Sequence, residues 1–114
     1  MKFSELSQLT PIPVSHNEAI LKRMMLQPGD ARPLVQFSQA TFPPGEGVEA
    51  HRHESMHEVF FVQQGEVEFI VNGTSQCATA GACLLVEAGE SHALRNIGQE
   101  PLLLLFFGME TSDE

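Results

Sequence analysis

Gly45-Glu-Gly-Val-Glu-Ala-His51-Arg-His53-Glu-Ser-Met-His-Glu58-Val-Phe-Phe-Val-Gln-Gln-Gly65 is the part of this 114-residue chain that says most about its fold. His51 and His53 are two residues apart, so on a β-strand both side chains point to the same face. A lone His-x-His pair on an exposed strand is a coincidence about as often as it is a binding site. The pair therefore needs partners from elsewhere in the sequence.

Glu58 is the first such partner, although its spacing is wrong for a straight strand. It follows His53 by five residues, an odd step that would turn it to the opposite face. We therefore expect Glu54-Ser55-Met56 to turn or bulge and so return Glu58 to the histidines. The same alternation makes its neighbour His57 face away, so His57 is not a candidate ligand.

A fourth candidate lies in a second stretch, Gly81-Ala-Cys-Leu-Leu-Val-Glu-Ala-Gly-Glu-Ser-His92-Ala-Leu-Arg-Asn96. His92 can reach the other three only if a separate strand carries it there. Three imidazoles and one carboxylate form a ligand set for a divalent first-row metal ion. Each residue alone has an ordinary structural explanation, so the metal hypothesis depends on their joint spacing.

The rest of the chain reads as short strands between turns. Asn72-Gly73 is a strong two-residue hairpin turn, and no long helical period occurs. This pattern predicts an all-β barrel or sandwich: residues 1–17 as a loosely structured lead-in, 18–110 as one β-barrel domain and 111–114 as a frayed tail. The runs predicted as strands are 20–26 (with one helical turn as the alternative), 34–42, 48–53, 58–64, 67–71, 74–79, 82–86, 92–97 and 102–109.

Composition narrows the classes of partner. Fifteen acidic and six basic residues leave a net charge of −9, and the basic residues are scattered, so nucleic acid and anionic membranes are not expected partners. The longest apolar run, Leu102 to Phe107, is too short to cross a bilayer, and the N-terminus lacks the apolar segment of a signal peptide. Cys77 and Cys83 are too few for a secreted disulfide framework. We expect two free thiols, of unassigned role, in a cytoplasmic protein.

Together the two stretches resemble the two motifs of the cupin family. The first motif is Gly, five residues, His-x-His, three or four residues, Glu, six residues, Gly, and the second is Gly, five residues, Pro-x-Gly, two residues, His, three residues, Asn. Two positions depart from it: Glu87 stands where the motif has Pro, and Ala82 where many cupins have Asp. The matching residues are Gly45, His51, His53, Glu58 and Gly65 in the first motif, and Gly81, Gly89, His92 and Asn96 in the second.

The resemblance implies a cupin-type double-stranded β-helix, a small jelly-roll barrel. It implies that His51, His53, Glu58 and His92 bind one divalent metal ion: Fe, Mn, Ni, Zn, Co or Cu. Mixed nitrogen and oxygen ligation does not select among these metals. The resemblance gives almost no information about the substrate.

Strand alternation indicates which residues surround the ion. Phe60, Val62 and Gln64 share the face of Glu58, and Gln64 and Arg32 are the polar groups we would test first as substrate contacts. A place in the barrel core is the alternative for each apolar candidate. Further candidates at the cavity are Phe37 or Phe42, Met24, Leu94 and Phe106.

The chain contains no Tyr and no Trp, so acid–base work by a tyrosine is excluded and metal-centred chemistry is favoured. We expect a metal-dependent enzyme of dioxygenase, isomerase or decarboxylase type that acts on a small organic molecule. A non-catalytic cupin that binds or senses a small molecule is the alternative, and a barrel with a vestigial site is the third possibility. Val59-Phe60-Phe61-Val62 is apolar on both faces, which predicts a homodimer that covers an outer face.

Overall fold

Antiparallel β-strands form nearly all of the regular structure in the computed structural model, which describes residues 1–111. One short 3₁₀ helix, Leu6–Gln8, precedes them. No helix in the described range is both long and apolar enough to cross a bilayer. The strands are β1 (Ile12–Val14), β2 (Asn17–Leu26), β3 (Leu34–Phe42), β4 (Gly47–His51), β5 (Met56–Gln64), β6 (Glu66–Val71), β7 (Thr74–Thr79), β8 (Cys83–Val86), β9 (His92–Asn96) and β10 (Leu102–Glu110).

Two sheets face each other across the core. One has six strands in the order β1-β2-β3-β10-β5-β8, and the other has four in the order β4-β9-β6-β7. Strands that are distant in sequence lie side by side, as in a jelly roll, so the predicted all-β barrel is confirmed. The chain changes sheets between β4 and β5, which places the His-rich stretch at the junction.

Alternating residues fill the space between the sheets. On β5, Glu58, Phe60 and Val62 are buried while Phe61 points outward, and β3 and β10 alternate in the same way. This is the pattern expected for strands with one face on a core. The buried apolar residues are Ile20, Ala40, Phe42, Phe60, Val62, Val67, Phe69, Val86, Leu94, Leu102 and Leu104.

Turn residues set the register of the strands. Asn72 and Gly73 have φ values of 50° and 82°, as required for the predicted two-residue hairpin between β6 and β7. Gly65 joins β5 to β6 with a φ of 95°, and a side chain there would lie 3.0 Å from the Leu102 Cα. Only glycine meets both requirements.

Asn96, the last residue of β9, ties the end of the barrel together. Its buried Nδ2 donates to the carbonyls of Phe42 (2.9 Å) and Glu100 (2.8 Å), and its Oδ1 accepts from the Gly98 N–H (2.8 Å). The asparagine of the second motif therefore has a structural part in this chain.

The N- and C-terminal segments and β4 differ from expectation. Residues 12–14 of the lead-in form β1, which pairs with β2. β2 itself is the strand that the sequence favoured, although it begins at Asn17. β4 ends at His51, so His53 lies in the following loop and not on the strand. Thr111 of the expected tail donates to the Ser55 carbonyl (N to O, 2.9 Å), and residues 112–114 lie outside the described range.

Candidate metal centre

Four side chains from both sheets meet at one end of the barrel. One potential ligand atom from each of His51, His53, Glu58 and His92 lies within 4.8 Å of all the others. His51 ends β4 directly opposite His92, the first residue of β9, whereas Glu58 comes from β5 in the other sheet. The structure thus brings together all the residues that the sequence proposed as ligands.

The loop between β4 and β5 makes this meeting possible. It turns at Glu54 and Ser55, as the odd spacing of Glu58 requires. The β8–β9 turn holds the loop in place, because the Gly89 N–H donates to the His53 carbonyl at 2.8 Å. In the same turn the Ala88 N–H donates to His57 Nδ1 at 3.0 Å, so His57 is engaged away from the cluster.

The departure from the motif at Glu87 is compatible with this turn. The Glu87 N–H donates to Glu90 Oε1 at 2.8 Å, and the Glu90 N–H donates to the Glu87 carbonyl at 3.0 Å. A proline at position 87 could not donate the first of these bonds. The chain therefore closes the turn with a side-chain hydrogen bond instead of a fixed proline ring.

Backbone carbonyls orient two of the imidazoles. His51 Nδ1 lies 2.9 Å from the Glu49 carbonyl oxygen, and His92 Nδ1 lies 3.2 Å from that of Glu90. A carbonyl oxygen only accepts, so each Nδ1 carries a proton, and the neutral form of each ring then has its lone pair on Nε2. This is the tautomer that a histidine needs to bind a metal through Nε2.

Glu58 is the electrostatic centre of the cluster. Its Oε1 lies 2.9 Å from His92 Nε2 and 3.4 Å from His53 Nε2, and both Glu58 and His92 are buried. Burial lowers the pKa of His92, but the hydrogen bonds with Glu58 and the Glu90 carbonyl outweigh it, so the pKa lies above its ordinary value of 6.5. For His53, burial dominates over Glu58 and lowers the pKa.

The donor set fits a divalent cation. A lone pair on His92 Nε2 facing a carboxylate oxygen at 2.9 Å is repulsive unless a proton or a cation lies between them. Ligand atoms on opposite sides of an ion, each about 2.1 Å away, are about 4.2 Å apart. The four ligand atoms lie up to 4.8 Å apart, and shifts of a few tenths of an ångström per side chain would bring them to that separation. Three imidazoles and one carboxylate suit Fe, Mn, Co, Ni, Cu or Zn.

A cavity of about 240 Å³ opens beside the cluster, between the two sheets. Its walls are mainly apolar, and Phe60 lies on the wall next to His92, with ring centroids 6.2 Å apart. Phe42, Leu94 and Phe106 of the further candidates also line it, whereas Phe37 and Met24 do not. The lining residues are Val14, Ser15, His16, Lys22, Gln36, Ala40, Phe42, Val48, His51, His53, Met56, Glu58, Phe60, Leu94, Leu104 and Phe106.

Three of the four residues expected to contact a substrate lie elsewhere. Val62 is buried in the core beyond the cavity. A register shift between β5 and β10 inserts Gln63 as an extra residue, so Gln64 loses the inward alternation and donates to the Pro101 carbonyl. Arg32 is exposed and pairs with Glu110 at 2.9 Å on the outside. The expectation that Val62, Gln64 and Arg32 line the cavity is therefore corrected, and Phe60 alone of the four lies there.

Sequence reasoning missed the polar wall of the cavity. Lys22 and Gln36, on β2 and β3, and Ser15 and His16, in the β1–β2 turn, all line it. One indication was available: Lys22 is two positions after the buried Ile20 on a strand, which puts a charged side chain on the inward face.

The chain is similar to several known proteins. It is 35% identical over 69 residues to an oxalate-binding protein of Thermotoga maritima, a match that covers 60% of this chain and 57% of that protein. Its structure superposes on that of a predicted oxalate decarboxylase from Thermotoga maritima with a TM-score of 0.86, at 26% identity, covering 93% of this chain and 96% of the other. An RmlC-like cupin from Shewanella frigidimarina matches with a TM-score of 0.79 at 20% identity, covering 98% and 92%.

The sequence model of the cupin domain family matches residues 38–108, well over half of the chain. That range contains both sequence motifs and all four clustered side chains. The fold agrees with this match, because the two sheets of the jelly roll meet at these residues. The chain belongs to the cupin family.

Proposed function

We propose that this cupin is a metal-dependent enzyme that acts on a small organic acid inside the barrel. The observation that carries the proposal is the position of His51, His53, Glu58 and His92 at one end of a cavity of about 240 Å³. A divalent ion held there supplies Lewis acidity or a site for O₂. Of the dioxygenase, isomerase and decarboxylase types, the names of the two Thermotoga maritima relatives favour a decarboxylase and a carboxylic acid as substrate.

Different residues of the chain bind the ion, orient its ligands, exclude water and transfer protons. Glu58 and the histidines hold the ion, and the carbonyls of Glu49 and Glu90 fix two of the rings. Phe60, Phe42 and Phe106 line the cavity and keep bulk water from the reacting end. With no tyrosine in the chain, proton transfer falls to His16, Lys22 or water.

A non-catalytic protein that binds or senses a small acid is the second candidate. The relative that is called oxalate-binding supports it, as does the small number of acid–base groups in the cavity besides the four clustered residues. Discrimination requires the metal-loaded chain, a panel of small acids, and measurement of O₂ uptake, CO₂ release and binding. Turnover that His51→Ala abolishes supports the enzyme, and binding without turnover supports the sensor. Neither binding nor turnover across the panel would contradict both.

The proposal includes a homodimer in the cytoplasm. Phe61, Leu85 and Leu105 share the outward face of adjacent strands β5, β8 and β10, and we call them the outer patch. Leu85 is 56% exposed and Phe61 40%, which is unusual for large apolar side chains on one face. A second copy that packs there would cover them. The exposed, free Cys77 and Cys83 are compatible with a reducing compartment.

A further inference from the structure

Lys22 is an inward-facing lysine in the cavity wall. Ile20, two positions earlier on β2, is completely buried, so strand alternation carries Lys22 into the barrel. Burial lowers the pKa of Lys22 below its ordinary value of 10.5, while the negative charge of Glu58 acts in the opposite direction. Among the described residues that line the cavity, Lys22 is the only lysine or arginine and Glu58 is the only carboxylate.

Lys22 is not the hydrogen-bonded partner of Glu58. The Glu58 carboxylate contacts His92 and His53, whereas Lys22 Nζ donates to Gln36 Oε1 at 3.2 Å. Ser38 Oγ donates to the same Gln36 oxygen at 2.7 Å. A structural role as a counter-charge for Glu58 would place the ammonium on the carboxylate, and the structure places it elsewhere.

Hydrogen-bond chemistry makes this wall a donor surface. The ammonium of Lys22 only donates, so the oxygen of the Gln36 amide must face it and the Nε2 amide must point away. Lys22 uses one of its three protons on Gln36. The remaining protons of Lys22 and the Nε2 protons of Gln36 make no hydrogen bond to another described residue. They are therefore available to donate to a ligand, and a bound anion would accept from them.

Charge points to the same kind of ligand. Three neutral imidazoles and the Glu58 carboxylate leave one positive charge on a divalent ion, and Lys22 adds a second in the same cavity. Two uncompensated positive charges in one cavity favour a ligand that carries two negative ones.

We propose that Lys22 and Gln36 form an anion subsite that binds the second carboxylate of a small dicarboxylic acid, whose first carboxylate lies at the His–Glu centre. This inference rests on the proposed function and names its substrate class. A cavity of about 240 Å³ has room for a small dicarboxylic acid.

The test is calorimetric titration of the Mn²⁺-loaded 114-residue chain with oxalate, malonate, succinate and, as the monocarboxylate reference, acetate. Metal content is measured before and after, to exclude removal of the ion by the acid. At least one dicarboxylate should bind about tenfold or more tightly than acetate. Lys22→Met should retain the metal and lose this advantage, and Lys22→Arg should restore most of it. Lys2→Met is the matched control, because Lys2 is the only other lysine and pairs with Asp30 on the surface.

The outcomes separate the two proposals. If wild type holds the metal but Lys22→Met keeps the full preference for a dicarboxylate, or wild type has no such preference, the subsite is wrong and the metal centre stands. If wild type holds no metal, the proposed function fails first. Should Lys22→Met not fold, Gln36→Met removes the amide donors while keeping the lysine, and an unchanged preference in that variant would equally overturn the subsite.

Discussion

His92 Nε2 and Glu58 Oε1 lie 2.9 Å apart although their strands, β9 and β5, belong to different sheets. Both side chains are buried, so this contact joins the sheets where the cavity begins. In the metal-free protein it requires a proton on His92, which is why the pKa of His92 lies above 6.5.

This contact predicts how the stability of the metal-free protein depends on pH. A histidine whose pKa is raised by folding stabilises the folded state below its unfolded pKa, and that contribution is lost as pH rises through the folded pKa. The free energy of unfolding should therefore fall above about pH 6.5, by at most about 1.4 kcal/mol per pH unit. The lowered pKa of His53 reduces the free energy of unfolding only as pH falls below 6.5, so His53 does not contribute to this decline.

Glu58→Gln is the control for this pH dependence. It removes the carboxylate charge that holds the proton on His92, so the decline above pH 6.5 should disappear from urea unfolding of the metal-free variant. A decline of the same size in Glu58→Gln and in wild type would show that another group causes it.

We expect Asn96→Ala to destabilise the fold by about 2–4 kcal/mol, because it removes a buried hydrogen bond to the Phe42 carbonyl and two part-buried ones, to the Glu100 carbonyl and from the Gly98 N–H. Urea unfolding measures the difference. Gln76→Ala, which removes an exposed hydrogen bond to the adjacent residue, should change stability by less than about 0.5 kcal/mol. A loss below about 1 kcal/mol for Asn96→Ala would mean that the end of the barrel does not depend on this side chain.

A pair of glycine substitutions separates backbone strain from steric contact. Gly29 and Gly65 both have a φ of 95°, but an added Cβ meets nothing at Gly29 and lies 3.0 Å from Leu102 Cα at Gly65. Gly65→Ala should therefore lower the free energy of unfolding by about 1–3 kcal/mol more than Gly29→Ala does. Equal losses in denaturant unfolding would contradict the tight approach of β5 and β10.

The outer patch predicts a dimer that one charge disrupts. Leu85→Glu should convert the protein to a monomer at micromolar concentration, as measured by light scattering after size-exclusion chromatography, because a buried unpaired carboxylate is costly. Ile97→Glu, at an equally apolar but separate exposed site, should leave the dimer intact. A wild-type monomer would refute the homodimer altogether.

Residue spacing, together with the resemblance to the two cupin motifs, predicted much of the fold and the cluster. Period-two alternation identified the strands, and the odd step between His53 and Glu58 predicted the turn that joins the sheets. The position of Gln64 could not be predicted, because the inserted Gln63 becomes apparent only from pairing with β10. Strand alternation could have put Lys22 on the inward face, but only the tertiary pairing of β2 with β3 places it and Gln36 beside the cluster.

Metal content tests the central claim most directly. Protein purified without added metal should contain about one equivalent of a divalent first-row ion per chain by elemental analysis, and His51→Ala should lose most of it. His16→Asn, a histidine in the cavity wall outside the cluster, should retain the wild-type content; asparagine tolerates the φ of 74° at that position. Wild-type metal content in His51→Ala would contradict the assignment of the four ligands.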